Sequence, residues 1–423
     1  VTHGVGPWIV RPDLPIKVRG LVGGRPYTRD ARPAAGGKDR TDMRFVHTAD
    51  WQLGMTRHFL SGDAQPRYSG ARRDAVAGLG TLAAEAGAEF VVVAGDAFED
   101  NQLAPEIISQ SLEAMRTIGI PVYLLPGNHD PLDAASVYTS ALFTAECPDN
   151  VVVLDAAGVH RVRPGLEIVA APWRSKRPTG DLAAAVLDGL PADGTTRILV
   201  AHGGIDVLDP DTSNPALIRL TALEDALSRG VIHYVALGDK HSRTQVGATG
   251  RIWYSGSPEV TNFDDIESDP GHVLVVDIDE ADGAVSVDSR HIGRWRFLTL
   301  QRQLDTDRDV ADLDINLDQL PDKGRTVVRL ALTGSLSVTD RAALDACLDR
   351  YSRLFAWVGT WKRHTDLVVV PVDGEFTDLG IGGFAADAVA ELVATARGGD
   401  TGVADDAHAA LALLLRLVDR GAA

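Results

Sequence analysis

Short apolar runs recur along the chain from residue 43 onward, and each is closed by polar residues, glycine or proline. Residues 45–48, 90–94, 122–125, 151–154, 168–171, 198–201, 234–237 and 273–276 read as strands. The run FVVVA at 90–94 has no polar alternation, as expected of a strand covered on both faces. Between these runs, residues 72–87 are Ala-rich with helical spacing, and residues 105–118 are helical with Gly119 fitting the stop. Strand, loop, helix, strand is the pattern of a layered α/β domain. Chemistry in such sheets gathers at the carboxyl ends of the strands. The polar residues cluster there: Asp50, Asp96, Asn128-His129-Asp130, His202 and Asp239-Lys240-His241.

Near Arg294 the texture changes. Residues 297–300, 327–332 and 367–372 read as strands, and 339–348 as a helix with Thr339 as its N-cap. From residue 382 two Ala/Leu-rich amphipathic segments follow, FAADAVAELVATA and DDAHAALALLLRLVD. Residues 1–42 are rich in Gly and Pro, basic in balance and without periodicity; they lack the apolar core of a signal peptide. The expected organisation is therefore a disordered or non-native extension at 1–42 ahead of Met43, a core domain at 43–290, a small domain at 291–375 and a helical segment at 376–423.

Composition changes this picture in two respects. The formal net charge of −18 repels nucleic acid at long range, so any DNA contact has to be local, metal-assisted or supplied by a partner. The two cysteines, Cys147 and Cys347, form neither a disulfide framework nor a zinc finger. They fit a reduced, cytoplasmic protein. No stretch is long and apolar enough to read as a membrane span.

Asp50, Asp96, Asn128, His202, Asp239 and His241 offer oxygen and imidazole donors on successive strand-end loops. One such residue alone is more often a turn former or a core histidine. The ordered set TADWQLG, AGDAFED, LPGNHDP, AHGGI and ALGDKHS is different, because two hard divalent cations need a bridging carboxylate and a ring of O and N ligands. Secondary candidates are Glu99, Asp100 and Asn101 on the Asp96 loop. Basic clusters lie at Arg57-His58, Arg72-Arg73, Arg174–Arg177 beside Trp173, and Lys240 with Arg243. Trp51 is expected to pack under the Asp50 loop.

These segments resemble the calcineurin-like metallophosphoesterases. Within that superfamily, HTADWQLG at 47–54 and GSPEVTNFDD at 256–265 are similar to the SbcD-type nuclease subunits and the related YhaO-like proteins. The resemblance implies an α/β fold: a layered β-sandwich core flanked by helices, a small α+β capping domain and C-terminal helices. It implies two divalent metal ions, Mn²⁺ the expected one, with Asp96 bridging, Asp50 and His241 on one ion, and Asn128 and His202 on the other. His129 would sit by the scissile phosphate, with Asp130 orienting its ring. The family pattern has His where Gln52 and Asp239 stand; both remain ligand candidates here, and the exchange of two imidazoles for oxygen donors favours Mn²⁺ or Mg²⁺ over softer ions. The implied activity is a DNA exo- or endonuclease of DNA repair, with DNA and an SMC-like coiled-coil ATPase as partners and room for a homodimer. A phosphatase or phosphodiesterase on a small phosphoester, and a catalytically impaired scaffold, are the alternatives.

Overall fold

The computed structural model describes residues 42–211, 213–370, 383–396, 406–407 and 410. The extension at 1–42 lies, save for Asp42, outside the described residues, as does most of the second C-terminal segment. The described residues belong to one compact unit.

Its first elements are β1 (Asp42–Thr48), α1 (Ala64–Ala86), β2 (Phe90–Val93), α2 (Pro105–Arg116), β3 (Val122–Leu124), α3 (Ala141–Glu146) and β4 (Val151–Val153). All four residues of β2 are buried, which accounts for its unbroken apolar run. Helix α1 begins eight residues before the expected start. It ends at Gly87, whose left-handed φ of 68° lets its N–H turn back to Ala83 and Ala84. Next come β5 (Gly158–Arg163), β6 (Leu166–Ala171), α4 (Leu182–Leu187), β7 (Thr196–His202), α5 (Leu220–Ser228), β8 (Tyr234–Gly238), β9 (Thr244–Val246), β10 (Ile252–Tyr254), β11 (His272–Asp279) and β12 (Val285–His291).

These strands form two six-stranded sheets, ordered β12-β11-β1-β2-β3-β4 and β5-β6-β7-β8-β10-β9. Strands β1 to β4 are parallel, as are β6, β7, β8 and β10. Strands β5, β9, β11 and β12 run antiparallel to the strands they pair with. Between the sheets lies a core of Phe45, Phe90, Val92, Leu166, Ile168, Ile198, Val200 and Tyr234. Phe45 and Phe90, paired in register, stack at 5.3 Å. Helices α1 and α2 cover the outer face of the first sheet, and α4 and α5 that of the second. The expected sandwich flanked by helices is what forms.

The chain continues through β13 (Arg296–Leu304), α6 (Asp307–Gln319), β14 (Thr326–Ser337), α7 (Val338–Ser352), β15 (Trp357–Thr360), β16 (Asp366–Val370) and α8 (Phe384–Ala396). This third sheet is parallel in every described pairing, with β14 at its centre. It is therefore built from β–α–β crossovers, α6 and α7 packing on it through Leu313, Leu317, Leu344 and Tyr351. Ser337, not Thr339, caps α7: its side chain accepts from the Asp340 N–H, because β14 runs straight into the helix and leaves Thr339 inside the first turn. Trp295, Phe297 and Val327 pack against Met55, Tyr68, Val260 and Phe263. The third sheet thus rests on the loops that leave β1 and β10, next to the strand ends described below.

Candidate metal centre

Five parallel strands end on the same side of the sandwich, and each delivers one part of the site. Asp50 follows β1, Asp96 follows β2 and Asn128 follows β3; His202 ends β7, and Asp239 and His241 follow β8. The β7–β8 register sets His202 beside Gly238. One ligand atom each from Asp50, Asp96 and His202 lies within 4.8 Å of the other two. Asp50 and His241, far apart in the chain, face each other with Oδ1 and Nε2 4.0 Å apart.

The backbone is bent to make this possible. Asp50, Gln52, Asp96 and Asp239 have φ of 54°, 43°, 54° and 98°. Non-glycine residues avoid this region, and strain of about 1–3 kcal/mol per residue persists only where the surroundings impose it. Glycine is required beside them. A Cβ on Gly127 would sit 2.2 Å from Asp96 Oδ1, and one on Gly238 would sit 2.1 Å from the Ala94 carbonyl.

Both imidazoles present Nε2 to the centre. His202 donates Nδ1–H to the Ala94 carbonyl (2.8 Å), and His241 donates Nδ1–H to Glu267 Oε1 (2.7 Å), with Thr261 Oγ1 2.6 Å away. An oxygen partner on the far nitrogen fixes the tautomer and raises the basicity of the free one, as around bound metals. The Asn128 side-chain oxygen lies 2.7 Å from His202 Nε2. Gln52 Nε2 lies 3.2 Å from His241 Nε2.

The electrostatics call for a cation. Asp50 and Asp96 are buried, and among the described residues their ion-pair partners, and those of Asp239, are histidines rather than Lys or Arg. Burial pushes the Asp50 carboxyl up to about 6 against the pull of His241 and His202. Burial also raises Asp239. Burial would lower His202, but Asp96, Asp50 and Asp239 together hold it well above the ordinary imidazole range. Gln52 Oε1 is buried with no hydrogen-bond partner, an acceptor left for a group that donates no hydrogen. The donor set is carboxylate, amide oxygen and imidazole, and it fits hard or borderline divalent cations.

His129 lies beside this cluster. Its N–H donates to Asp96 Oδ1 (3.0 Å), and its Nδ1–H to the Glu99 carbonyl (2.9 Å). The structure corrects the role expected of Asp130. That carboxylate accepts from the N–H of Gly127 (2.7 Å) and Phe98 (2.9 Å) and from the Tyr138 hydroxyl (2.6 Å). It is fully buried and holds the Asn128 loop, so the Glu99 carbonyl orients the imidazole instead. Arg72 is likewise no surface cation. It is buried and donates to the carbonyls of Trp51 (3.0 Å), Val260 (3.2 Å) and Asp50 (3.4 Å). Trp173, beside the Arg174–Arg177 cluster, is 9% exposed and its Nε1–H donates to the His202 carbonyl (2.7 Å). Asp100 faces Lys176 across 3.7 Å and Asn101 braces Pro131, so both shape the loop. Trp51 packs as expected, 1% exposed, with Nε1–H on Thr48.

Glu267, Thr261 and Ser257 were not singled out by sequence. Ser257 Oγ donates to the Asp50 carbonyl (2.7 Å). All three lie on or just after GSPEVTNFDD, so that stretch carried a signal, but nothing in its spacing said which residue faces His241.

Among curated proteins, the SbcD component of the nuclease SbcCD from Rhodobacter capsulatus is 28% identical over 374 residues, covering 73% of this chain and 84% of that protein. "DNA double-strand break repair protein Mre11" of Archaeoglobus fulgidus is 34% identical over 91 residues, 21% of this chain and 19% of its own. The metallophosphoesterase YhaO of Bacillus subtilis is 27% identical over 123 residues, 28% of this chain and 29% of its own. The family model for calcineurin-like phosphoesterases matches residues 43–276. That span is more than half of the chain and holds every strand end of the site, so the chain belongs to the calcineurin-like phosphoesterase family.

Proposed function

We propose that the chain is a Mn²⁺-dependent DNA phosphodiesterase, exo- or endonucleolytic, that acts in DNA repair beside a coiled-coil ATPase of the SMC type. The observation that carries this reading is the likeness to the SbcD nuclease component over 374 residues, which runs well beyond the 43–276 core. A cytoplasmic location belongs to the same reading. Among the described residues no helix is long and apolar enough to cross a membrane.

Asp50, Gln52, Asp96 and His241 would hold one cation, and Asp96, Asn128, His202 and Asp239 the other. Bound there, divalent ions supply Lewis-acid stabilisation of charge on the phosphoryl oxygens. His129 then acts on the leaving side. In its imidazolium form Nδ1–H stays on the Glu99 carbonyl and Nε2–H is the proton for the departing oxygen. The Asp96 carboxylate, which accepts the His129 backbone N–H, ties the main chain that carries this ring to the cluster. Asp130 and Tyr138 keep the loop from shifting the imidazole out of line.

The acidic body binds duplex DNA poorly by itself, which is why a partner is part of the proposal. Residues 382–423, of which α8 and four further positions are described, are its expected docking segment. Deleting them should abolish capture by the ATPase and leave metal-dependent phosphodiester hydrolysis intact.

The test of the activity is digestion of linear duplex DNA in Mn²⁺. Wild type should degrade it, and Asp96→Asn should not. His129→Ala should lose about a hundred- to ten-thousand-fold in rate, the usual contribution of a positioned general acid. Hydrolysis of bis-p-nitrophenyl phosphate without DNA cleavage would favour the small-phosphoester alternative, and inertness toward both the scaffold.

A further inference from the structure

The donors fall into two groups of the same composition. Around His241 stand a carboxylate, Asp50 (4.0 Å), and an amide, Gln52 (3.2 Å). Around His202 stand a carboxylate, Asp239 (3.8 Å), and an amide, Asn128 (2.7 Å). Asp96 lies 3.4 Å from His202 and within ligand reach of Asp50, so it is common to both. The internal bonding is parallel as well. In each group Nδ1–H of the imidazole is anchored on an oxygen, Ala94 O or Glu267 Oε1. In each group the side-chain amide ends beside Nε2, 2.7 Å away for Asn128 and 3.2 Å for Gln52.

We infer that Gln52 and Asp239 make the two halves of the site chemically equivalent, so that they take two ions of one kind, oxygen-preferring divalent cations, with matched affinity. This deepens the proposed function and rests on it. Each half holds one imidazole, one amide oxygen, one carboxylate of its own and the shared Asp96. A histidine at either position would place two imidazoles in that half and leave one in the other, and nitrogen donors favour Zn²⁺ over Mn²⁺ or Mg²⁺. The halves differ in access rather than in donor type: the Asp50 side chain is fully buried and that of Asp239 is 39% exposed. Gln52 and Asp239 are thus the residues that set metal selectivity.

The experiment is equilibrium dialysis of the metal-stripped full-length chain against Mn²⁺ alone and against Zn²⁺ alone, with bound metal counted by atomic emission. Wild type should bind two Mn²⁺ with midpoints within about tenfold of each other. Gln52→His and Asp239→His should each tighten Zn²⁺ at one site by about tenfold or more and separate the two Mn²⁺ midpoints. Thermal unfolding of the metal-free variants serves as the folding control, and two substitutions in different halves guard against the loss of either. Wild-type Mn²⁺ midpoints more than about a hundredfold apart would overturn the equivalence, and so would an unchanged Zn²⁺ to Mn²⁺ preference in both variants. Either result would leave the hydrolase standing. Failure of wild type to bind Mn²⁺ at all would overturn the equivalence and the metal-dependent reading together.

Discussion

Histidines in this chain do opposite work according to what surrounds them. His241 is held by Glu267, and removing that charge while keeping the shape, Glu267→Gln, should weaken metal binding about 10- to 100-fold, read by titration with Mn²⁺. His47 is the contrasting case. It is buried under the site, its Nε2–H on the Leu237 carbonyl and its Nδ1 accepting from the Tyr234 hydroxyl. Burial lowers it from 6.5 to about 3. Because the folded value lies below the unfolded one, the unfolded chain takes up the proton first. Stability is therefore full above pH 6.5 and is lost as pH falls toward 3. At pH 5 the loss attributable to His47 is about 2 kcal/mol. The stability gap between wild type and His47→Gln should shrink by that amount between pH 7 and pH 5 in denaturant titrations. The residues of the strand-end cluster were legible in the sequence because metal chemistry restricts residue type and each followed an apolar run. Glu267 and Arg72 were not, because a carboxylate or guanidinium that braces a loop looks in sequence like any surface charge.

At the level of elements, the site is a consequence of parallel strands that stop together. Strands β2, β7 and β8 are buried throughout, and it is their continuous apolar runs that made the core of both sheets readable. Strands β5 and β12 alternate between half-buried and exposed residues at sheet edges, and β9 is three residues long; such segments carry little hydrophobic signal. Helix α6 has Thr306 and Asp309 in a reciprocal capping box, a pattern present in the sequence but set among so many aspartates that it does not stand out. The strand ends tolerate no added bulk. Gly238→Ala would bring a Cβ to 2.1 Å of the Ala94 carbonyl and 2.8 Å of His202 Nδ1. It should displace His202 and abolish Mn²⁺ binding, while Gly78→Ala, in open space on α1, should leave binding unchanged.

On the scale of the whole molecule, local and global charge point in the same direction. The chain carries −18 overall, and the carboxylates of its metal centre add to the local repulsion until cations arrive. Binding of phosphodiesters should therefore depend on the loaded site: duplex DNA retained by the Mn²⁺-loaded chain should be released by chelation, as checked by fluorescence anisotropy on the slowed His129→Ala variant. The third sheet is seated through Phe59, Tyr68, Trp295 and Trp357 on the loops that follow β1 and β10. All of this depends on ions occupying the place where five strands end. The most direct measurement is anomalous difference density from crystals soaked in Mn²⁺ and measured at the manganese edge. Two peaks should appear, one lined by Asp50, Gln52 and His241, the other by Asn128, His202 and Asp239, with Asp96 touching both. A map with no peak within coordination distance of the Asp96 carboxylate would contradict the account.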